Sequence, residues 1–369
     1  MHKKLFIPGP VEVYPDILKA MGTPMIGHRT KEYTTMHGEI KSKLQQLLYT
    51  KNTIYLVTSS GTGIMEACSR NLVNKRAAHF VCGEFGERWF EISVANGKEA
   101  DKFSVDLGKA IKPDMVDKAL ATGKYDTVFI THNETSVGVM NPLKEIAAVV
   151  KKYPEVVFCV DAVSSMAGAK IEVDACGIDV CLASTQKGFA LPPGFAVCAI
   201  SKKALERTKQ VKNRGYYFDF LVFDQFDSKN QTPTTPSVSH MFALNAQLDK
   251  ILKEGLDNHF DRTKQLADTC RAWVIKSGFK LFTEPGYESV TMTTAENTKN
   301  VDIAKLNEEL GKKGFMISAG YGKLKDRSFR IAHMGETTVA ELKELLTTID
   351  GIIPSLPQAP APAPAMAKK

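Results

Sequence analysis

Val156-Val157-Phe158-Cys159-Val160-Asp161 sets five apolar residues in a row and closes them with a carboxylate. An apolar run without polar alternation suits a strand buried on both faces, as in a parallel sheet. The run has company on both sides. Upstream lie Thr53-Ile54-Tyr55-Leu56-Val57 and the runs at 78–82 and 128–131; downstream lie 180–183 and 196–200. Helical patterns separate several of them, among them 61–71 and 142–152, with Pro142 in a first-turn position. The alternation predicts an open α/β sheet with helices on both faces. Ligands of such sheets bind beyond the carboxyl ends of the strands, so the polar residues that end each run are where chemistry belongs.

The pattern changes after about residue 201. Residues 216–236 are rich in aromatics, Asp and Thr and read as one long irregular connection, which implies a function or an interface. Met241, Leu244, Leu248 and Ile251 then recur at helical spacing, with Gly255 as a stop. A helix at 257–277, strands near 279–282 and 288–293, a helix carrying Ile303, Leu306 and Leu310, strands near 315–318 and 328–332, and a helix at 337–350 follow. This is the pattern of a smaller α+β unit. The end, PSLPQAPAPAPAMAKK, cannot build a core and is expected to be extended.

Composition narrows the function. The 369 residues are 43% apolar and 24% charged, ordinary values for a folded protein. Lys plus Arg total 48 against 41 Asp plus Glu, a mild excess with no dense basic block, so nucleic-acid and membrane-surface binding are disfavoured. No apolar run approaches the roughly 20 residues of a membrane span, and the N-terminal apolar stretch stops at Pro8, too short for a signal peptide. Seven dispersed cysteines with no C-x-x-C pattern read as reduced thiols, which points to the cytoplasm.

Four constellations at strand ends could carry chemistry. Thr58-Ser59-Ser60-Gly61-Thr62-Gly63 joins a strand to a helix, where backbone N–H groups favour an anion. It is neither a Walker loop, lacking the Lys, nor G-x-G-x-x-G, since residue 66 is Glu66; a tight turn without ligand explains it as well. Asp161 could hold a cation, a metal or a protonated ring nitrogen, or cap a helix. Lys187, in Ser184-Thr185-Gln186-Lys187-Gly188, is a Schiff-base candidate or a surface lysine. Arg330, in Arg330-Ile331-Ala332-His333-Met334-Gly335, suits a carboxylate or a surface ion pair. His132-Asn133-Glu134 resembles half of a zinc-deaminase signature, but P-C-x-x-C is missing and no zinc pattern occurs, so no metal is expected. The order of anion loop, Asp, Lys and Arg matches the needs of pyridoxal phosphate: phosphate, ring nitrogen, aldehyde and substrate carboxylate.

Taken together, these pieces resemble the class V aminotransferases of the fold-type I pyridoxal-phosphate enzymes, within them the alanine–glyoxylate and serine–pyruvate or serine–glyoxylate group. The matching segments run from Pro8-Gly9-Pro10 through Gly27-His28-Arg29, Ser60-Gly61-Thr62-Gly63, Asn133-Glu134-Thr135-Ser136-Val137-Gly138, Val160-Asp161-Ala162-Val163, Ser184-Thr185-Gln186-Lys187 and Pro192-Pro193-Gly194 to His333-Met334-Gly335. The resemblance implies a large domain with a mostly parallel sheet and a smaller α+β C-terminal domain. Its expected divisions are an N-terminal arm at 1–20 lining the active site, a cofactor-binding domain at 21–255, a small domain at 256–353 and a flexible tail at 354–369.

It further implies that Lys187 forms the Schiff base with the cofactor and that Asp161 pairs with the ring nitrogen. Ser60, Gly61, Thr62 and Gly63 would bind the cofactor, with Gln186 helping to hold its phosphate. Phe85 would cover the ring and Thr135 would contact it. Arg330 would clamp the α-carboxylate, with Gly9 and His28 also on the substrate side. Thr234 would reach the phosphate of the neighbouring subunit, which implies a homodimer with shared active sites. Two departures bear on donor specificity and cofactor affinity: Phe85 stands where close relatives have Trp, and Gln231 where many have Tyr. The expected reaction is ping-pong transfer of an amino group from alanine or serine to glyoxylate or pyruvate. The rivals are an aminoethylphosphonate transaminase, a cysteine desulfurase, and a non-catalytic subunit that kept only the fold.

Overall fold

The computed structural model describes residues 2–356; most of the expected tail at 354–369 lies outside that range. The strands, in chain order, are β1 (Lys4–Phe6), β2 (Thr53–Val57), β3 (Ala77–Val81), β4 (Ala100–Ser104), β5 (Thr127–Thr131), β6 (Asn133–Glu134), β7 (Val139–Met140), β8 (Val157–Asp161), β9 (Val180–Ser184), β10 (Ala196–Ile200), β11 (Lys280–Leu281), β12 (Met292–Glu296), β13 (Phe315–Ala319) and β14 (Ser328–Ala332).

Seven of them form one sheet in the order β2-β10-β9-β8-β5-β3-β4. The pairs β3–β4, β3–β5, β5–β8 and β8–β9 are parallel, and β10 alone runs against its neighbours β9 and β2. The α/β architecture with a mostly parallel sheet is therefore as expected. In β8 the side chains alternate between two cores: Phe158 and Val160 belong to one apolar cluster, Val157 and Cys159 to another. Both faces are covered, which is why the run carries no polar alternation. Each fully buried Val or Phe contributes about 1.5–3 kcal/mol.

Register decides where the strand ends meet. Asp161 lies opposite Thr131 of β5 and Leu182 of β9. Ala196 of β10 faces Ser184, the last residue of β9, on one side and Val57, the last of β2, on the other. The segments that follow β2, β8 and β9 consequently leave the sheet at one edge.

A second sheet has the order β1-β13-β14-β12-β11. Its core contains Trp273, Phe279, Phe315, Phe329, Leu345 and Leu346. The start of the chain is part of this sheet, since β1 pairs in parallel with β13; the periodicity of ten N-terminal residues gives no hint of a partner some three hundred positions away.

Several local expectations need correction. Residues 216–236 are not one irregular connection: Asp219 accepts from the Leu221 N–H at 2.9 Å and caps the helix Phe220–Asp227, which buries Phe220 and Phe223. Pro142 stands at the cap position before the helix Leu143–Val150 rather than in its first turn. The strand expected near 288–293 begins only at Met292. No helix of the described residues is long and apolar enough to cross a membrane.

Candidate active site

The shared edge of the large sheet opens on a cavity of about 200 Å³. Ser60, Gly61 and Thr62 from the turn after β2, Asp161 from β8, and Gln186 and Lys187 from the turn after β9 all line it, with Phe85, Thr135 and Gly9. An adjoining cavity of about 280 Å³ shares Gly9, Phe85, Thr135 and Lys187 and adds Arg330 and Tyr321. Lys187 thus stands on the wall between the two spaces.

The turn after β2 is shaped for close approach. A Cβ on Gly61 would come within 2.6 Å of Val163 Cγ2, so only glycine fits there. Ser60 is the N-cap of the helix Gly61–Leu72, but its side chain accepts no hydrogen bond from the helix start. The Gly61 and Thr62 N–H groups at the helix start are left for an anion. Gly63 does not line the cavity; its N–H donates to Ser60 O at 3.1 Å.

Asp161 is 3% exposed. Its Oδ1 accepts from the Val163 N–H at 2.8 Å. Burial pushes its carboxyl up to about 7, against the Val163 hydrogen bond and the Lys187 charge. Lys187 is 8% exposed, and its Nζ donates to Pro8 O. Burial lowers the amine to about 8, helped by the Arg330 charge and opposed by Asp161 and Glu134. A neutral amine is therefore within reach near neutral pH, as a nucleophile and a base need. Gly9 has φ +125°, and a Cβ there would sit 2.7 Å from Lys187 Cδ and Cε, so the N-terminal arm presses directly on the lysine.

Arg330 is 6% exposed. Nε donates to Ala319 O at 3.1 Å, one terminal nitrogen to Thr135 O at 3.1 Å and the other to Ser318 Oγ at 3.0 Å. Burial draws its pKa down to about 10, still charged at neutral pH. A guanidinium has five N–H donors. Three are engaged, so each terminal nitrogen keeps one, the pair that a carboxylate takes in bidentate fashion.

Three site residues were not singled out from sequence. Glu134 is fully buried and accepts from the N–H groups of Phe85 and Gly86, both at 3.1 Å, and from Ser136 Oγ at 2.6 Å. It fastens the start of the helix Glu84–Ala95 and so fixes Phe85. Burial raises its carboxyl in spite of these bonds. Arg88 lines the first cavity, with its guanidinium 4.8 Å from the Phe85 ring centre, and Tyr321 lines the second. Glu134 lies inside motifs quoted above and Arg88 in none of them, and neither ends an apolar run, so the rule that chemistry follows strand ends passes over both.

His28 and Thr234 line neither cavity of their own chain. They lie near one another in sequence-distant segments: Arg29, beside His28, donates to Thr232 O at 2.8 Å.

The residues present fit pyridoxal phosphate. Among the described residues Ser184 Oγ and Gln186 Oε1 are buried polar atoms without a partner, and Asp161 lines the cavity with Oδ1 held by the Val163 N–H. An uncapped helix start, a buried carboxylate and a lysine of lowered basicity, arranged around an aromatic ring, are what a phosphate, a ring nitrogen and an aldehyde require. Among the described residues no cluster of His, Cys, Asp and Glu could hold a metal ion.

Fold and site together define a fold-type I pyridoxal-phosphate enzyme. Residues 12–325 match the family described as Aminotransferase class-V, and the chain belongs to that family. It is 38% identical over 357 residues to an uncharacterized aminotransferase of Methanocaldococcus jannaschii, covering 95% of this chain and 91% of that one. It is 29% identical to an L-aspartate–glyoxylate aminotransferase of Paracoccus denitrificans, with 95% and 91% covered. The solved alanine–glyoxylate aminotransferase of Nostoc superposes with a TM-score of 0.90 at 25% identity, covering 95% of each chain. The protein is a pyridoxal-phosphate-dependent aminotransferase.

Proposed function

We propose that the enzyme moves the amino group of alanine or serine to a small 2-oxo acid, glyoxylate or pyruvate, in ping-pong order. The observation that carries this reading is the pair of free N–H donors on Arg330 in a cavity of about 280 Å³ that also holds the Lys187 amine. A carboxylate bound there brings its α-carbon toward Lys187, and the apolar walls Ile7, Pro8, Met316 and Ile317 favour a short substrate. The Paracoccus and Nostoc relatives are both glyoxylate aminotransferases, which supports glyoxylate as the acceptor.

Bound pyridoxal phosphate supplies the aldehyde that carries the amino group and the electron sink that acidifies the α-carbon. The remaining work falls to the chain. Ser60, Gly61 and Thr62 with Gln186 would hold the cofactor's phosphate, Asp161 would pair with its ring nitrogen, and Phe85 and Thr135 would contact its ring, while Glu134 holds Phe85 in place. Lys187 takes the proton from the substrate α-carbon and returns one on the far side of the transfer. Gly9 and the arm exclude water from the lysine.

The desulfurase rival needs a mobile nucleophilic Cys late in the chain. Cys270, the last one, is fully buried in the helix Leu256–Lys276, with its thiol pushed up to about 12. That supports transamination instead. The segments around His28 and Thr234 support a homodimer in which Thr234 serves the partner's site, and seven buried free thiols support a cytoplasmic location. The domain division at about 255 also stands as part of this reading, with β1 assigned to the second sheet. Mixing the holoenzyme separately with alanine, serine and aminoethylphosphonate, and following the visible band, tests the assignment. Conversion by alanine or serine is expected; conversion only by the phosphonate would overturn it.

A further inference from the structure

Glu254 closes the helix Val238–Glu254, and Gly255 separates it from the helix Leu256–Lys276. Two residues of the second helix share the Glu254 carboxylate. Arg262 donates from Nε to Oε1 at 2.6 Å and from Nη2 to Oε2 at 3.0 Å, and His259 Nδ1 lies 2.7 Å from Oε2. Against burial, these partners hold the carboxyl down at about 2, so the anion persists through the neutral range. None of the three residues lines the cavities that hold Lys187.

Their other hydrogen bonds end on the two backbone segments that flank the Lys187 turn. His259 is 2% exposed, and its Nε2 donates to Ala167 O at 2.7 Å; a carbonyl only accepts, so the ring carries a proton there. Ala167 lies in the segment after β8 with φ +62°, a conformation that needs a fixed partner to hold it. A Cβ on Gly188 would run into Met166 O and sit 3.2 Å from Ala167 C, so this segment packs directly against the residue after Lys187. On the other flank, Arg262 Nη1 donates to Gly335 O and Thr337 O, both at 3.1 Å. A Cβ on Gly335 would sit 2.8 Å from Ala190 Cβ, and the Ala190 N–H donates to Lys187 O at 2.8 Å. One carboxylate outside the cleft thus anchors both sides of the turn that carries the amine.

We propose that His259 and Arg262, joined through Glu254, are positioning residues that brace the 187–190 turn from outside the cleft and keep the Lys187 amine in its water-poor place beside Pro8. This rests on Lys187 as the reactive amine and on no particular amino donor. Burial is what lowers that amine to about 8, so a turn that loosens and admits water returns it toward the ordinary lysine range. The charged groups that face it, Arg330, Asp161, Glu134 and Arg88, are left in place by substitutions at 259 and 262.

The test compares the parent with His259→Asn, His259→Gln and Arg262→Lys. An Asn amide nitrogen falls near the position of Nδ1 and keeps the bond to Glu254; a Gln amide nitrogen falls near Nε2 and keeps the bond to Ala167 O. In the cofactor-free full-length chain, Lys187 is labelled with trinitrobenzenesulfonate across a pH series and located by peptide mass mapping. The labelling midpoint is expected to rise by about one pH unit in His259→Asn and by about half a unit in Arg262→Lys, and to stay at the parent value in His259→Gln. In the holoenzyme the single-turnover rate with L-alanine near pH 7 should fall about tenfold in His259→Asn and hold within about twofold in His259→Gln. An unmoved midpoint in His259→Asn or in Arg262→Lys overturns the proposal, as does an equal shift in the Asn and Gln variants, which would mark His259 as a packing residue alone. If His259→Asn fails to fold, Arg262→Lys decides on the same terms. A parent that labels at Lys187 with the expected midpoints but does not react with alanine overturns the proposed donor and leaves this inference standing.

Discussion

The two walls of the cleft are built on different principles. On one side, Asp161, Gln186 and Lys187 stand at or just past the ends of neighbouring strands, and the register of a buried sheet brings them together. On the other, Arg330, Tyr321 and Gly9 come from β14, from the turn after β13 and from the chain start, which meet only because β1 pairs with β13 and β13 with β14. The first wall is rigid by continuity: each residue is a few bonds from a strand with two covered faces. The second is rigid by assembly, and a change in its packing reaches the chemistry through Lys187, whose Nζ is held by Pro8 O. The first wall should therefore fail chemically and the second by degrees.

Lys187→Ala gives the largest effect. Loss of the amine removes both covalent attachment and proton transfer, and turnover should fall by more than about a thousandfold, with loss of the visible band; retained transamination would break the assignment of the first wall. Asp161→Asn comes next, with a fall of about a hundredfold in single-turnover rate and weaker cofactor binding.

The same substitution has a signature in the cofactor-free protein. The folded-state pKa of Asp161 is about 7 against an ordinary 3.8, so the folded chain holds this proton more tightly than the unfolded one. The stabilising contribution of the neutral carboxyl is complete below about pH 4 and is lost as pH rises to about 7. Chemical denaturation of both proteins at several pH values should show the parent losing ground to the variant across that window, and a constant difference would refute the shift.

The second wall gives smaller numbers. Gly9→Ala places a methyl against Lys187 Cδ and Cε at a backbone φ of +125°. Activity should drop about tenfold with a stability loss of about 1–3 kcal/mol; an unchanged rate would show that the arm does not position the lysine. The smallest expected effect is that of Phe85→Trp. Aromatic contacts differ by about 0.5–1.5 kcal/mol, so equilibrium cofactor affinity should change by less than about tenfold. A larger gain would show that the phenyl ring leaves the cofactor face poorly covered.

The two walls also differ in how far they can be read without coordinates. Asp161 and Lys187 are visible because each ends or follows an unbroken apolar run, and such a run already says that a polar successor emerges at the sheet edge. Arg330 lies inside β14 and closes no run, so only its residue type and its place in the order of the motifs marked it as a carboxylate partner. Arg88 and Glu134 act across the cleft through Phe85 and Tyr321, contacts with no local pattern. The helix Phe220–Asp227 escaped notice because its polar, Asp- and Thr-rich surroundings hide a short apolar face, and His28 drew attention by motif although the folded chain leaves it outside its own cavities.

The order of apolar runs by itself determined a mostly parallel sheet, its helical connections and the residues at its functional edge, because hydrophobic periodicity is a local property that short-range geometry converts directly into strands. Tertiary structure alone decided that the first residues complete the second sheet, that Gly9 bears on Lys187, and that Arg88 meets Tyr321. Those outcomes depend on which distant surfaces bury each other, and the free energy of that burial resides in no single stretch of chain.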